Sequence, residues 1–193
     1  MNKGSVFNFL KKLVKKIKKI ELESSLCKEG GFEVYKVLDV CRYIINYSNE
    51  KDYGISNLKL QKLLYFVQAY FLCFSPQKQP CFEEKIEAWD FGPVVPEAYH
   101  EYKHYGSGNI PEITSYFENT NDSFWKIRSR KVNKNNISSN DKELINQVVD
   151  KFSDSSAIEL VELTHDQAPW KEAYAPYKNN EITIESIRGY FDE

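Results

Sequence analysis

Two histidines and a glutamate form the pattern with the clearest possible chemistry. His100, Glu101 and His104 match the H-E-x-x-H motif, in which two histidines four residues apart on a helix bind zinc and the glutamate acts as a general base. A catalytic zinc site also needs a third ligand. Ser107 and Ile110 occupy the positions where the extended motif has glycine and histidine. We therefore interpret the pattern as a solvated helix face and expect no metal site.

No other pattern indicates catalysis. His165 precedes Asp166, but no serine or cysteine lies in a nucleophile motif, so we expect the imidazole to bond backbone carbonyls at a helix end. The sequence also lacks a glycine-rich phosphate loop. We predict a protein that is not an enzyme, has no cofactor and takes no small-molecule substrate.

The 193 residues divide into a basic beginning and an acidic remainder. Residues 1–20 contain seven lysines and no acidic residue, so the total charge of −2 leaves −9 on residues 21–193. Apolar residues recur every three or four positions from Val6 to Ile20, which predicts an amphipathic helix. This helix could pack on its own domain, lie on an anionic membrane, bind nucleic acid or dock into a partner. The lysines expected to make such contacts are Lys11, Lys12, Lys15, Lys16, Lys18 and Lys19.

The composition favours a single folded domain. With 41% hydrophobic residues and little net charge the chain is not a disordered one, and no apolar run approaches the roughly 20 residues of a membrane span. The cysteines lack the spacing of zinc or redox motifs, and we expect Cys41 and Cys73 to be buried thiols of a cytoplasmic protein. Gly30 and Gly31 predict a boundary between a basic helix with its linker at 1–32 and a domain at 33–193.

Hydrophobic periodicity predicts an α-dominated α+β fold, a compact multi-helix domain with a small antiparallel β element. The helix expected from about residue 57 to 74 is apolar on two sides, which is typical of a central helix. Gln61 and Gln68 flank its main apolar stripe, where half-buried side chains can bond a loop backbone. Strands are expected within 82–91 and 124–132. Further helices are expected at about 33–48, 96–105, 141–152 and 156–164, with turns at Gly92 and Pro93 and at 165–170.

Three segments carry a family resemblance when they are taken in order. They are LKLQKLLY at 58–65, EAWDFGPVVPEAY at 87–99, and Thr164 and His165 followed by Pro169 and Trp170. Together they resemble the Panacea domain, also called the SocA-like antitoxin or phage-associated GepA-like domain. The resemblance covers about residues 34–191.

The resemblance implies a bacterial or phage cytoplasmic protein that binds and neutralises a toxin encoded by an adjacent gene. Two alternatives stay open: an adaptor that delivers the toxin to a Clp protease, and a phage-associated protein that binds DNA through the basic N-terminal helix. Rigid aromatic residues around a turn suit either an interface or a core. The residues expected to contact the partner are Trp89, Gly92, Pro93, Val95, Pro96, Tyr99, Lys103, Thr164, His165 and Trp170.

Overall fold

The computed structural model describes residues 34–75, 78–119, 127–133 and 135–192. The basic helix predicted at 1–32, with its lysines, and the boundary after it lie outside these residues and stay predictions. In chain order the described elements are α1 (Val37–Glu50), α2 (Asn57–Phe74), β1 (Ile86–Trp89), β2 (Gly92–Val94), α3 (Pro96–Tyr102), a 3₁₀ turn (Lys103–Tyr105), β3 (Ser115–Asn119), β4 (Ile127–Lys131), α4 (Ser139–Lys151), α5 (Ala157–His165), α6 (Ala168–Ala173), β5 (Glu181–Ile182) and α7 (Ile184–Asp192). The predicted α-dominated α+β class is confirmed.

The 18-residue helix α2 lies at the centre of the domain. It begins after Ser56, whose Oγ accepts a hydrogen bond from Lys59 N at 3.3 Å. Every residue from 59 to 73 is buried. A helix that is apolar on two sides must be covered on two sides, so the prediction of a central helix is confirmed.

Five helices, α1, α3, α4, α5 and α7, pack around α2. Phe66 of α2 stacks on Phe152 at the end of α4, with ring centroids 4.5 Å apart. α5 begins with a capping box in which Ser156 and Glu159 each hydrogen-bond the other's backbone N–H. Cys41 is a buried free thiol, as predicted.

Two glutamines of α2 bind the segments that cross it. Gln61 Oε1 accepts a hydrogen bond from Val95 N at 3.0 Å. Gln68 Nε2 donates to Phe82 O, and its Oε1 accepts from Cys81 N, each at 2.9 Å. The predicted role of both glutamines is confirmed, although their side chains are buried rather than half-buried. The helix therefore fixes the path of the chain before β1 and after β2.

The larger sheet is antiparallel with strand order β2-β1-β5. Trp89 pairs with Gly92, so the turn between β1 and β2 contains Asp90 and Phe91. The prediction of a turn at Gly92 and Pro93 is wrong, because both residues already belong to β2. Likewise, residues 165–170 do not form a simple turn, since α6 begins at Ala168.

β3 and β4 form a separate antiparallel hairpin. The predicted strand within 124–132 is confirmed for Ile127–Lys131, whereas the sequence pattern does not indicate β3. Tyr116 attaches the hairpin to α1, because its ring centroid lies 3.5 Å from the guanidinium carbon of Arg42. Phe117 is 79% and Ile127 is 67% exposed. No helix in the described ranges is long and apolar enough to cross a membrane.

Candidate partner-binding site

The H-E-x-x-H residues lie on an exposed and irregular helix end. α3 ends at Tyr102 and continues as a 3₁₀ turn, so His100 and His104 are separated by a change of helical pitch. His100, Glu101 and His104 are all exposed. Among the described residues, no group of three histidine, cysteine or acidic side chains is placed to hold a metal ion. The arrangement is that of a solvated surface.

The residues around His165 join α5 and α6 to strand β1. The His165 ring stacks on Trp170 with centroids 3.9 Å apart, and Trp170 Nε1 donates to Trp89 O at 3.0 Å. Burial lowers the pKa of His165, and the positive charge of Lys62 lowers it further, whereas a hydrogen bond with the Asp90 backbone opposes both effects. His165 is the last residue of α5, so its position at a helix end agrees with the sequence expectation.

Strand β2 is held in place by a buried lysine. Lys62 is fully buried, and its Nζ donates to Pro93 O at 2.9 Å. Burial lowers the pKa of Lys62 to about 7. Gly92 has a φ of 92°, and a Cβ at this position would lie 2.7 Å from Thr164 Oγ1 and 3.0 Å from Lys62 Nζ. Glycine is therefore required where β2 approaches both α2 and α5.

An open cleft of about 540 Å³ lies beside this buried contact. Trp89, Tyr99 and Lys103 line it, and the Trp89 and Tyr99 rings meet edge to face at 4.9 Å. Among the described residues, the lining consists of Asn57, Leu58, Gln61, Trp89, Asp90, Phe91, Val94, Tyr99, Lys103, Gly106, Tyr177, Lys178 and Asn179. The cleft combines aromatic walls with two lysines, which suits an apolar ligand group next to a negative charge.

The structure thus separates the expected contact residues into two groups. Trp89, Tyr99 and Lys103 line the cleft. The others are outside the lining. Gly92, Pro93, Val95 and Thr164 are buried, and Pro96, His165 and Trp170 are half-buried. Contact between any of these residues and a partner stays a prediction.

Two exposed residues of the lining, Tyr177 and Lys178, are not among those expected from the sequence. Tyr177 is fully exposed at a φ of 63°, and Lys178 follows it in the lining. Phe91, which lies in the segment 87–99 that carries the family resemblance, is 62% exposed at the β1–β2 turn. The available signal for Tyr177 was an aromatic residue between Pro176 and a polar run, where a core position is improbable.

One protein family matches a large part of this chain. The family described as "Antitoxin SocA-like, Panacea domain" matches residues 60–171, which is more than half of the chain. The chain belongs to this family. The matched range contains most of α2, the β1–β2 turn, α3 and the start of α6. The family resemblance in the sequence is therefore confirmed.

A curated relative has the same family name. Antitoxin SocA of Caulobacter vibrioides (strain NA1000 / CB15N) is 42% identical over 60 residues. The aligned segment covers 31% of this chain and 31% of the relative, so the similarity spans about a third of the relative's length. No solved structure matches the chain.

Proposed function

We propose that this protein is a cytoplasmic antitoxin that neutralises a toxin encoded by an adjacent gene, by binding the toxin directly. Membership in a family of SocA-like antitoxins supports an antitoxin role. The observation that carries direct binding is the cleft, because exposed Phe91 and Tyr177 lie with Trp89 and Tyr99 in one lining. Clustered exposed aromatic side chains are typical of protein interfaces.

The mechanism is occlusion of a toxin surface. The buried Lys62 and Gln61 contacts hold strand β2, and the Trp170 bond holds the end of β1, so the aromatic side chains are presented on a rigid frame. A preorganised surface loses little conformational entropy when it binds. An interface of about 1,600 Å² in total is sufficient for stable association, and it would extend beyond the cleft.

One observation also favours the adaptor alternative. An adaptor needs a second surface for the protease, and the β3–β4 hairpin exposes Phe117 and Ile127 outside the cleft lining. The two mechanisms differ in the fate of the toxin. Occlusion leaves the toxin level unchanged and removes its activity, whereas delivery to a Clp protease lowers the toxin level.

A growth assay tests the proposal. The neighbouring open reading frame is induced with and without this protein, and the complex is then purified from the same cells. We expect growth arrest without the protein, and rescue with co-purification when it is present. Tyr99→Ala should fold and lose rescue, because its side chain is half-buried in the cleft wall. Ile158→Ala is the matched control, since Ile158 is an exposed apolar residue outside the lining.

Three results would contradict the proposal. A neighbouring gene product that does not arrest growth removes the need for an antitoxin. Rescue without co-purification and with disappearance of the toxin favours the adaptor. Equal loss of rescue in Tyr99→Ala and Ile158→Ala shows that the cleft has no special role.

A further inference from the structure

Two exposed aromatic residues on separate loops line the cleft. Phe91 is at the β1–β2 turn and Tyr177 lies in the loop between α6 and β5. Both line the same cleft, although they are 86 positions apart in the sequence. A ligand that covers both rings must extend out of the cavity, because Phe91 is 62% exposed and Tyr177 is fully exposed. A segment of polypeptide meets this requirement better than a small molecule does.

The loop that presents Tyr177 is held in an unfavourable backbone conformation. A φ of 63° is uncommon for a bulky side chain. Hydrogen bonds on both sides maintain it: Tyr174 Oη donates to Asp90 Oδ1 at 3.0 Å, and Ala88 N donates to Asn180 O at 2.9 Å. Lys178 N also donates to Ala175 O at 3.1 Å. Strain that is maintained to expose an aromatic ring indicates a binding role.

The charged residues of the cleft favour a ligand that carries negative charge. Lys103 and Lys178 both line it. Asp90 is the one acidic residue among the described residues of the lining, and it already accepts the Tyr174 hydrogen bond. The first turn of α2 contributes Asn57 to the same wall, and the positive end of a helix dipole favours nearby negative charge. The cleft is therefore locally basic within a chain whose residues 21–193 carry a net charge of −9.

The size of the cleft limits the length of the bound segment. About 540 Å³ lies within the range of pockets that hold compact ligands, roughly 300–1,000 Å³. This volume accommodates a few side chains and not a whole helix. Leu58 and Val94 are the aliphatic residues of the same lining.

From these observations we infer that the cleft binds a short extended segment of the toxin that carries an aromatic or aliphatic anchor next to Asp or Glu. This inference rests on the proposed antitoxin function. The anchor packs among Trp89, Tyr99, Phe91 and Tyr177, and its neighbouring carboxylates face the two lysines. The rest of the toxin lies outside the cleft and contributes the remaining interface area.

Peptide selection tests the chemistry without knowledge of the toxin. A displayed library of random nine-residue peptides is selected on the full chain, and the peptides obtained are sequenced. We expect enrichment of an aromatic or aliphatic residue with adjacent Asp or Glu. Dissociation constants of the selected peptides should rise at least about tenfold with Tyr177→Ala and with Lys178→Glu. Ile158→Ala and Lys131→Glu change exposed residues outside the lining and should leave binding unchanged.

The outcomes separate this inference from the antitoxin function. No selected peptide, peptides without acidic residues, or peptides that bind Tyr177→Ala as well as wild type would each overturn the inference. In parallel, co-purification of the neighbouring gene product is measured for wild type and for Tyr177→Ala. Equal co-purification overturns the cleft as the toxin site and leaves the antitoxin function intact. Absence of co-purification and of growth rescue with wild type overturns the antitoxin function itself.

Discussion

Replacing Lys62 by methionine should make the stability of this protein less dependent on pH. In the wild type, Lys62 is fully buried and its pKa is lowered to about 7, against an ordinary value of 10.5. Between these two pH values the folded chain has released a proton that the unfolded chain still binds. The free energy of unfolding therefore rises with pH in this window, and it loses this contribution as pH falls towards 7. Methionine fills a similar volume and does not titrate.

The size of the effect follows from the two pKa values. Each pH unit inside the window changes the stability by up to about 1.4 kcal/mol. Between pH 6.5 and 9, wild type should gain about 2.5 kcal/mol relative to Lys62→Met, given a folded-state pKa of about 7. Loss of the hydrogen bond to Pro93 O shifts the variant by about 1–3 kcal/mol at every pH, so it does not alter this difference.

Urea unfolding at a series of pH values measures the effect. Wild type, Lys62→Met and Lys131→Met are compared, because Lys131 is an exposed lysine of β4 and serves as the control. The control should follow wild type in parallel, whereas wild type should gain about 2.5 kcal/mol of unfolding free energy relative to Lys62→Met between pH 6.5 and 9. A constant gap between wild type and Lys62→Met would refute the argument, because it would show that the buried amine does not titrate in this window.

Three further predictions concern the frame of the cleft and the core. Gly92→Ala should lower the unfolding free energy by about 2 kcal/mol or more, since its Cβ would lie 2.7 Å from Thr164 Oγ1. Gly189→Ala in α7 is the control, because its Cβ meets no neighbouring atom. Thermal unfolding should show that this control is slightly more stable than wild type. Ser156→Ala should cost about 1 kcal/mol in the same assay, because the capping box of α5 is lost; an unchanged melting temperature would contradict this. Burial raises the pKa of three thiols, so iodoacetamide at pH 8 should label them only after denaturation, as peptide mass spectrometry would show. These thiols are Cys41, Cys73 and Cys81.

Much of the helical framework could be predicted from short stretches of sequence. The apolar pattern of α2 lies within the helix itself, and the capping residue Ser56 directly precedes it. Both signals are therefore adjacent in sequence to the structure that they specify. The backbone bonds of Gln61 and Gln68 were also foreseeable, because polar residues beside an apolar helical stripe must find partners when they are covered. Because helix signals depend on residues that are close in sequence, helices can be predicted without knowledge of the fold.

The strands were harder to predict, because strand pairing joins distant or weakly patterned segments. β3 has no clear alternation of apolar and polar residues, and it forms by pairing with β4. The turn at Asp90 and Phe91 was displaced by two residues in the prediction, because glycine and proline are the usual turn signals. Here Gly92 serves close packing against Thr164 instead.

The sequence by itself determined the helical class, the central position of α2 and the family resemblance, since each depends on patterns within short segments. Only the tertiary structure decided which aromatic residues are exposed and that Lys62 is buried. The cleft is assembled from the start of α2, the β1–β2 turn, α3 with its 3₁₀ extension, and the loop at 177–179. The distance in space between these segments cannot be predicted from the residue pattern within any one of them. Their approach is fixed by the packing of the helices and by long-range hydrogen bonds such as Tyr174 to Asp90.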